Sequence, residues 1–150
     1  MILHEKINFQ SDSKKSGDEF EDLVFIDLQS RAFKQIDKNV YMSGTGCEVD
    51  FVAYGERNEY VESKGGRDDG KKRPGAQRTD NVKKAIANGA LIKLKDPEIY
   101  YVVYFSAKPI TGSYSDEMIK LALCNNIINE VRYLKYDEPS VDNQLLLFYN

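Results

Sequence analysis

The sequence predicts an α/β domain, and three observations carry that expectation. A helical stripe begins near Gly17, where Phe20, Val24 and Leu28 fall at i, i+4 and i+8 and give one face that can pack on a sheet. Two short apolar runs, Glu48 to Gly55 and Glu59 to Lys64, are joined by the polar turn Glu56-Arg57-Asn58 and read as paired strands. Ile99-Tyr100-Tyr101-Val102-Val103-Tyr104-Phe105 is apolar throughout, as a strand covered on both faces requires.

In chain order, residues 1–16 are polar, with Ser11, Ser13, Lys14, Lys15 and Ser16 clustered, and are expected to be a flexible lead-in to a single domain over 17–150. In the first helix Leu23 and Ala32 widen the apolar stripe and Glu21 sits at its edge. Val40-Tyr41-Met42 predicts a short strand, closed by the turn Gly44-Thr45-Gly46. After Gly65-Gly66 comes a loop rich in glycine and charge, ended by Pro74-Gly75. The next helix is expected over Arg78 to Leu94, with Val82, Ile86 and Ala90 inward and Lys83, Lys84 and Asn88 pointing away; Gly89 predicts a weak point where it can stop. Ser113 to Asp116 is an N-terminal capping signal for a third helix containing Met118, Ile119, Leu121, Ala122 and Leu123. Val131-Arg132-Tyr133-Leu134 and Gln144 to Tyr149 offer edge strands.

A chain of 150 residues and 17.2 kDa fits one domain with a real core. The net charge of -3 and the pI near 5.3 give no global case for binding nucleic acid. The charge is uneven, however. From Lys64 through Arg67, Lys71, Lys72, Arg73, Arg78, Lys83 and Lys84 the chain is basic, with Asp68, Asp69 and Asp80 the acids of that stretch. Cys47 and Cys124 are the only cysteines, and no charged-then-apolar leader precedes the first polar segment, so reduced thiols in a cytoplasmic protein are expected. No apolar run approaches the roughly 20 residues of a bilayer span. His4 is the only histidine, which argues against His-dependent nuclease chemistry, Ser-His-Asp hydrolysis and a Cys/His zinc site.

The chemistry concentrates in two adjacent strands. Asp50 lies between Val49 and Phe51, and a carboxylate there is costly to bury unless something pairs it; a divalent cation would. Glu62 and Lys64, two residues apart on a strand, leave the same face. An Asp on one strand and a Glu-x-Lys on the next can hold one hard cation between carboxylate oxygens. Glu21 is the upstream candidate, with Glu19 or Asp18 in its place if the helix phase differs. Magnesium suits an all-oxygen site that keeps several waters, and manganese fits it too. Taken singly, a Glu-x-Lys is a common solvated pair, an acid at a helix start also serves the macrodipole, and a basic run is often a solvated face. Tyr100, Tyr101 and Tyr104 are read as sheet packing and Cys47 as a small buried filler.

The helix with Phe20-Glu21, the strand with Val49-Asp50-Phe51 and the triplet Glu62-Ser63-Lys64 resemble the PD-(D/E)XK nucleases, the superfamily of many restriction enzymes, junction resolvases and some homing endonucleases. Val49 stands where that family usually has proline. The element order resembles its restriction-endonuclease-like αβββαβ core, a mixed central sheet flanked by helices. The resemblance implies a metal-dependent endodeoxyribonuclease that cuts duplex DNA to leave a 5'-phosphate, site-specific in the homing or restriction manner. Glu21, Asp50, Glu62 and Lys64 would be catalytic, and Asp50, Glu62 and the main-chain carbonyl of Ser63 would hold Mg2+ or Mn2+. Lys71, Lys72, Arg73, Arg78 and Lys83 would neutralise DNA phosphates, with Gln77 and Asn81 reaching base edges. The expected partners are double-stranded DNA and a second copy of the chain, as homodimer or homotetramer, with no membrane. A structure-selective enzyme such as a Holliday junction resolvase, a catalytically silent DNA-binding module of the same fold, and RNA as substrate are the alternatives.

Overall fold

The computed structural model describes residues 17–67, 70 and 73–136. Its elements are α1 (17–29), β1 (Gln35–Met42), β2 (Cys47–Tyr54), β3 (Glu59–Lys64), a 3-10 turn (Gly75–Gln77), α2 (Thr79–Lys95), β4 (Tyr100–Phe105), α3 (Tyr114–Cys124) and β5 (Glu130–Tyr133). The strands form one sheet in the order β1-β2-β3-β4-β5. β1, β2 and β3 pair antiparallel across short polar turns, whereas β3, β4 and β5 run parallel because β4 is reached through α2 and β5 through α3. The fold is thus α/β, a five-stranded mixed sheet flanked by helices.

Each face of the sheet has its own core. On one side Phe20, Val24 and Leu28 of α1, all fully buried, meet Phe51, Ala53, Val61, Val102 and Tyr104. Burying such a side chain is worth about 1.5–3 kcal/mol, so this stripe is what holds α1 against the sheet. On the other side Val82, Ala85 and Ile92 of α2 and Ile119 and Ala122 of α3 cover Val52, Tyr101, Val103 and Phe105. β4 is buried from Tyr101 to Phe105, which explains its unbroken apolar run. The tyrosines pack as expected and their hydroxyls find partners: Tyr101 donates to the Ala85 carbonyl at 2.9 Å and Tyr104 to Asp27 at 2.6 Å.

The structure departs from the sequence reading in three places. β1 spans Gln35–Met42 rather than Val40 to Met42 alone. Gln35, Asp37, Lys38 and Asn39 hide its first half, which an edge strand tolerates because it is paired on one side only; Lys38 even lies over the Phe25 ring at 4.1 Å. α2 runs straight through Gly89, and its buried residues are Val82, Ala85, Gly89 and Ile92, not Val82, Ile86 and Ala90. Gly89 is there for contact: a Cβ would lie 2.6 Å from Cε1 of Tyr101 and 2.8 Å from the Ile127 carbonyl. Asn88 therefore turns toward the sheet instead of away. The cap on α3 is as expected, with the Ser113 hydroxyl accepting from the Asp116 amide at 3.3 Å. The lead-in over 1–16 and the strand proposed for Gln144 to Tyr149 lie outside the described residues. Among the described residues no helix is long and apolar enough to cross a membrane.

Candidate active site

The site is built where β2 and β3 part. Their ladder runs from Ala53↔Glu59 to Phe51↔Val61 and ends there. Beyond that point the Asp50 carboxylate takes over, Oδ2 accepting from the Ser63 amide at 2.7 Å and from the Ser63 hydroxyl at 2.9 Å. A backbone irregularity puts Asp50 in that position. Strict alternation would place Cys47, Val49, Phe51 and Ala53 on one face, yet the first two join the core under α2 and α3 and the last two the core under α1. The phase changes at Asp50. Across the ladder Asn39 is left out of the β1 register and has φ 52°, a left-handed conformation that asparagine tolerates better than most residues. β1 changes face with it, Ile36 packing under α1 and Val40 and Met42 under α2. Asp50 consequently sits between the two layers.

Glu62 follows the buried Val61 and faces the α2 side. It is only 4% exposed; its Oε1 is 3.3 Å from Lys64 Nζ, and its Oε2 accepts from Asn88 Nδ2 at 3.5 Å. Asn88 is in turn held by the Cys47 thiol, 3.7 Å from its Oδ1, so Cys47 is more than a filler. Burial first, and the Asp50 charge second, push the Glu62 carboxyl up to about 7, against the opposing pull of Lys64 and Asn88. From the α1 side, Glu21 is likewise pushed up to about 7, by burial, by the charges of Asp50, Asp18 and Asp22, and by a hydrogen bond with Asp50. Glu21, Asp22, Lys38, Asn39, Asp50 and Phe51 line one small cleft. Asp50 thus feels a carboxyl from each layer, with Lys64 the cation beside Glu62 and Lys38 in the cleft with Glu21.

The expected residues Glu21, Asp50, Glu62, Ser63 and Lys64 are therefore brought together, although Ser63 meets Asp50 through its amide and hydroxyl. Glu19 is drawn off by Arg67, at 2.7 Å. Among the described residues no three Asp, Glu, Cys or His side chains stand close enough to form a complete metal cage. Asp50 and Glu62 are the carboxylates there that could contribute to a hard-cation site, which for magnesium takes one or two carboxylates and completes its shell with water.

The basic stretch is only partly visible, Lys71 and Lys72 lying outside the described residues. Arg73 and Lys83 are exposed, Arg78 pairs with Asp80 at 3.3 Å, and Arg73, Gln77 and Arg78 line one surface groove. Asn81 does not reach outward. Its amide donates to the carbonyls of Gly75 at 3.0 Å and Gly65 at 3.4 Å, because the chain leaving β3 has main-chain acceptors to satisfy there. The sequence reading missed Asn88 as a partner of Glu62; its one signal is an asparagine, a weak helix former, in a helix interior. Compared with known proteins, the chain matches no family model and no curated protein sequence.

Proposed function

We propose that the protein is a magnesium-dependent endodeoxyribonuclease of the PD-(D/E)XK type, acting on duplex DNA. The observation that carries this reading is Asp50, held by Ser63 at the β2–β3 fork, beside the Glu62–Lys64 pair and in one small cleft with Glu21. Asp50 and Glu62, with the Ser63 carbonyl, would hold Mg2+ or Mn2+. The chemistry that ion supplies when bound is polarisation of the phosphoryl group and acidification of water.

The chain's own residues divide the remaining work. Lys64, its side chain 20% exposed, contacts a non-bridging phosphoryl oxygen and stabilises the negative charge that grows there as water attacks. Glu21, with a carboxyl titrating near neutrality, takes the proton the attacking water gives up. The water oxygen bonds to phosphorus, the bond to the 3' oxygen breaks, and that oxygen leaves with a proton from solvent, giving a 5'-phosphate and a 3'-hydroxyl. Ser63 and Asn88 are positioning residues that fix Asp50 and Glu62. Arg73, Arg78 and Lys83, with Lys71 and Lys72 of the same stretch, bind the phosphates beside the cut, and Gln77 reaches a base edge. Two strands need two sites, so a homodimer or homotetramer is part of the proposal.

The test is incubation of the purified chain with supercoiled plasmid, a genomic library and a four-way junction, in magnesium or EDTA, beside Lys64→Ala. Magnesium-dependent cutting of linear duplex into discrete products, lost in the variant, supports the reading. Preference for the junction would move it to a resolvase, and unchanged behaviour of Lys64→Ala would refute it.

A further inference from the structure

Beyond Lys64 the chain folds over the C-terminal ends of the parallel strands. The Ser106 amide donates to the Lys64 carbonyl at 3.2 Å, the Ser106 hydroxyl to the Gly66 carbonyl at 2.8 Å, and the Ala76 amide to the Ala107 carbonyl at 3.0 Å. These bonds tie the β3–α2 connection to the β4–α3 connection and bring the starts of α2 and α3 around one cleft. It has a volume of about 310 Å³, and its walls include Arg73, Gln77, Thr79, Ile110, Tyr114 and Ser115. That is near the lower end for small-ligand sites, roughly 300–1,000 Å³.

Ser115 is the observation that points to a ligand. It is 2% exposed, yet its hydroxyl is the one buried side-chain polar atom among the described residues without a hydrogen-bond partner. Buried hydroxyls are normally satisfied, so an acceptor from outside the chain is the simplest partner for this one. The surroundings favour an anion. α2 starts without a side-chain cap. At α3 the Ser113 hydroxyl caps the Asp116 amide, and the preceding amides of Tyr114 and Ser115 are those a helix start offers to an external acceptor. Arg73 is exposed and has no acidic partner among the described residues. The nearby acids are occupied: Asp116 accepts from the Gly112 amide at 2.9 Å and from Lys120 at 3.0 Å, and Asp80 is paired with Arg78. Beside this polar floor, Tyr114 and Ile110 are 79% and 50% exposed and form an apolar, partly aromatic wall.

We infer that this cleft binds one nucleotide unit of a nucleic-acid strand. The phosphate sits on Arg73, the Ser115 hydroxyl and the first amides of α3, and the base stacks on Tyr114. The ligand class rests on the nuclease reading; the anion site rests on Ser115 and the helix starts. Because the connection that leaves β3 after Lys64 supplies Arg73 and Gln77 to the cleft, the cleft would grip a strand flanking the cut and read no sequence, since any base can stack.

The experiment is an amide-resolved NMR titration of the full chain in EDTA with inorganic phosphate, thymidine, thymidine 5'-monophosphate and single-stranded tetrathymidylate, repeated on Ser115→Ala and Tyr114→Ala. The Tyr114 and Ser115 amides are expected to shift with the three phosphate-bearing probes and not with thymidine. The mononucleotide should bind roughly tenfold tighter than phosphate through stacking, an advantage lost in Tyr114→Ala. Ser115→Ala should weaken every phosphate-bearing probe by roughly tenfold while its Tm stays level or rises, because the hydroxyl removed has no partner in the free protein. Tetrathymidylate binding no tighter than the mononucleotide would overturn assignment to a strand. Thymidine shifting the same amides equally, or unchanged affinities in both variants, would overturn the cleft itself. Without metal no cleavage is read, so failure here leaves the nuclease reading standing, and failure of plasmid cutting leaves this titration meaningful.

Discussion

Replacing Asp50 with asparagine gives two opposite expectations, depending on whether its charge serves the fold or a function. Glu21 and Glu62 are both raised from the ordinary 4.5 to about 7, and the Asp50 charge contributes to each. Between those values the folded protein keeps protons that the unfolded chain has released, so this source of stability is full below about 4.5 and fades as pH rises through 7. For the buried Glu62 the displacement corresponds to about 3 kcal/mol once the group is forced to ionise; Glu21, only partly buried, adds less because water screens it. Burial is the larger cause and Asp50 the second, so Asp50→Asn should return the smaller part, about 1 kcal/mol at pH 8. Asparagine can still accept from the Ser63 amide. If Asp50 served only as that acceptor, losing charge-assisted hydrogen bonds would instead cost about 1.5–3 kcal/mol. The assay is urea unfolding in EDTA from pH 5 to pH 8. Asp50→Asn is expected to be the more stable protein at pH 8, with a flatter dependence on pH. A variant destabilised by more than about 1 kcal/mol at every pH would refute the idea that the Asp50 charge strains the two carboxyls beside it.

Three further outcomes follow from the same contacts. Asn88→Ala removes a hydrogen bond that lowers the Glu62 carboxyl, so the acid limb of the pH–rate profile for plasmid cutting should move to higher pH, with little change in urea midpoint. Gly89→Ala improves helix propensity by about 1 kcal/mol but drives a methyl to 2.6 Å from the Tyr101 ring; urea unfolding should show a net loss of about 1–3 kcal/mol from overpacking. Arg132 pairs with Glu59 at 2.6 Å, with Glu130, and with the Tyr104 hydroxyl at 2.9 Å, and Glu59 is 2% exposed. Arg132→Ala strands that buried carboxylate and should cost about 3–5 kcal/mol, read as a large fall in Tm.

The sequence disclosed the fold wherever one period dominated. The Phe20, Val24, Leu28 stripe, the two-sided β4 run and the Glu59–Lys64 strand could be located because burial on known faces leaves a regular apolar pattern. β1 was half hidden because an edge strand can carry Asp37, Lys38 and Asn39 without an apolar period. The inner face of α2 was misjudged because Gly89 and Ala85 are small where Tyr101 is large, so two of its four buried residues carry little apolar signal. In the site, Asp50, Glu62 and Lys64 stood out as charges interrupting apolar strands. The change of face at Asn39 and Asp50 has no such mark, since it resides in backbone geometry and in which layer each neighbour packs against. Asn88 was invisible for a related reason: whether a helical asparagine points in or out depends on the helix phase.

The central claim is tested most directly by single-turnover plasmid cleavage, wild type against Asp50→Asn, each in magnesium and in EDTA, with duplex affinity measured in parallel. The expected result is cutting by the wild type with magnesium alone, and a fall of roughly a thousandfold or more in Asp50→Asn, the scale of several kcal/mol of lost charge stabilisation, at near-constant affinity for DNA. Cutting in EDTA, or an Asp50→Asn protein as active as the wild type, would contradict it.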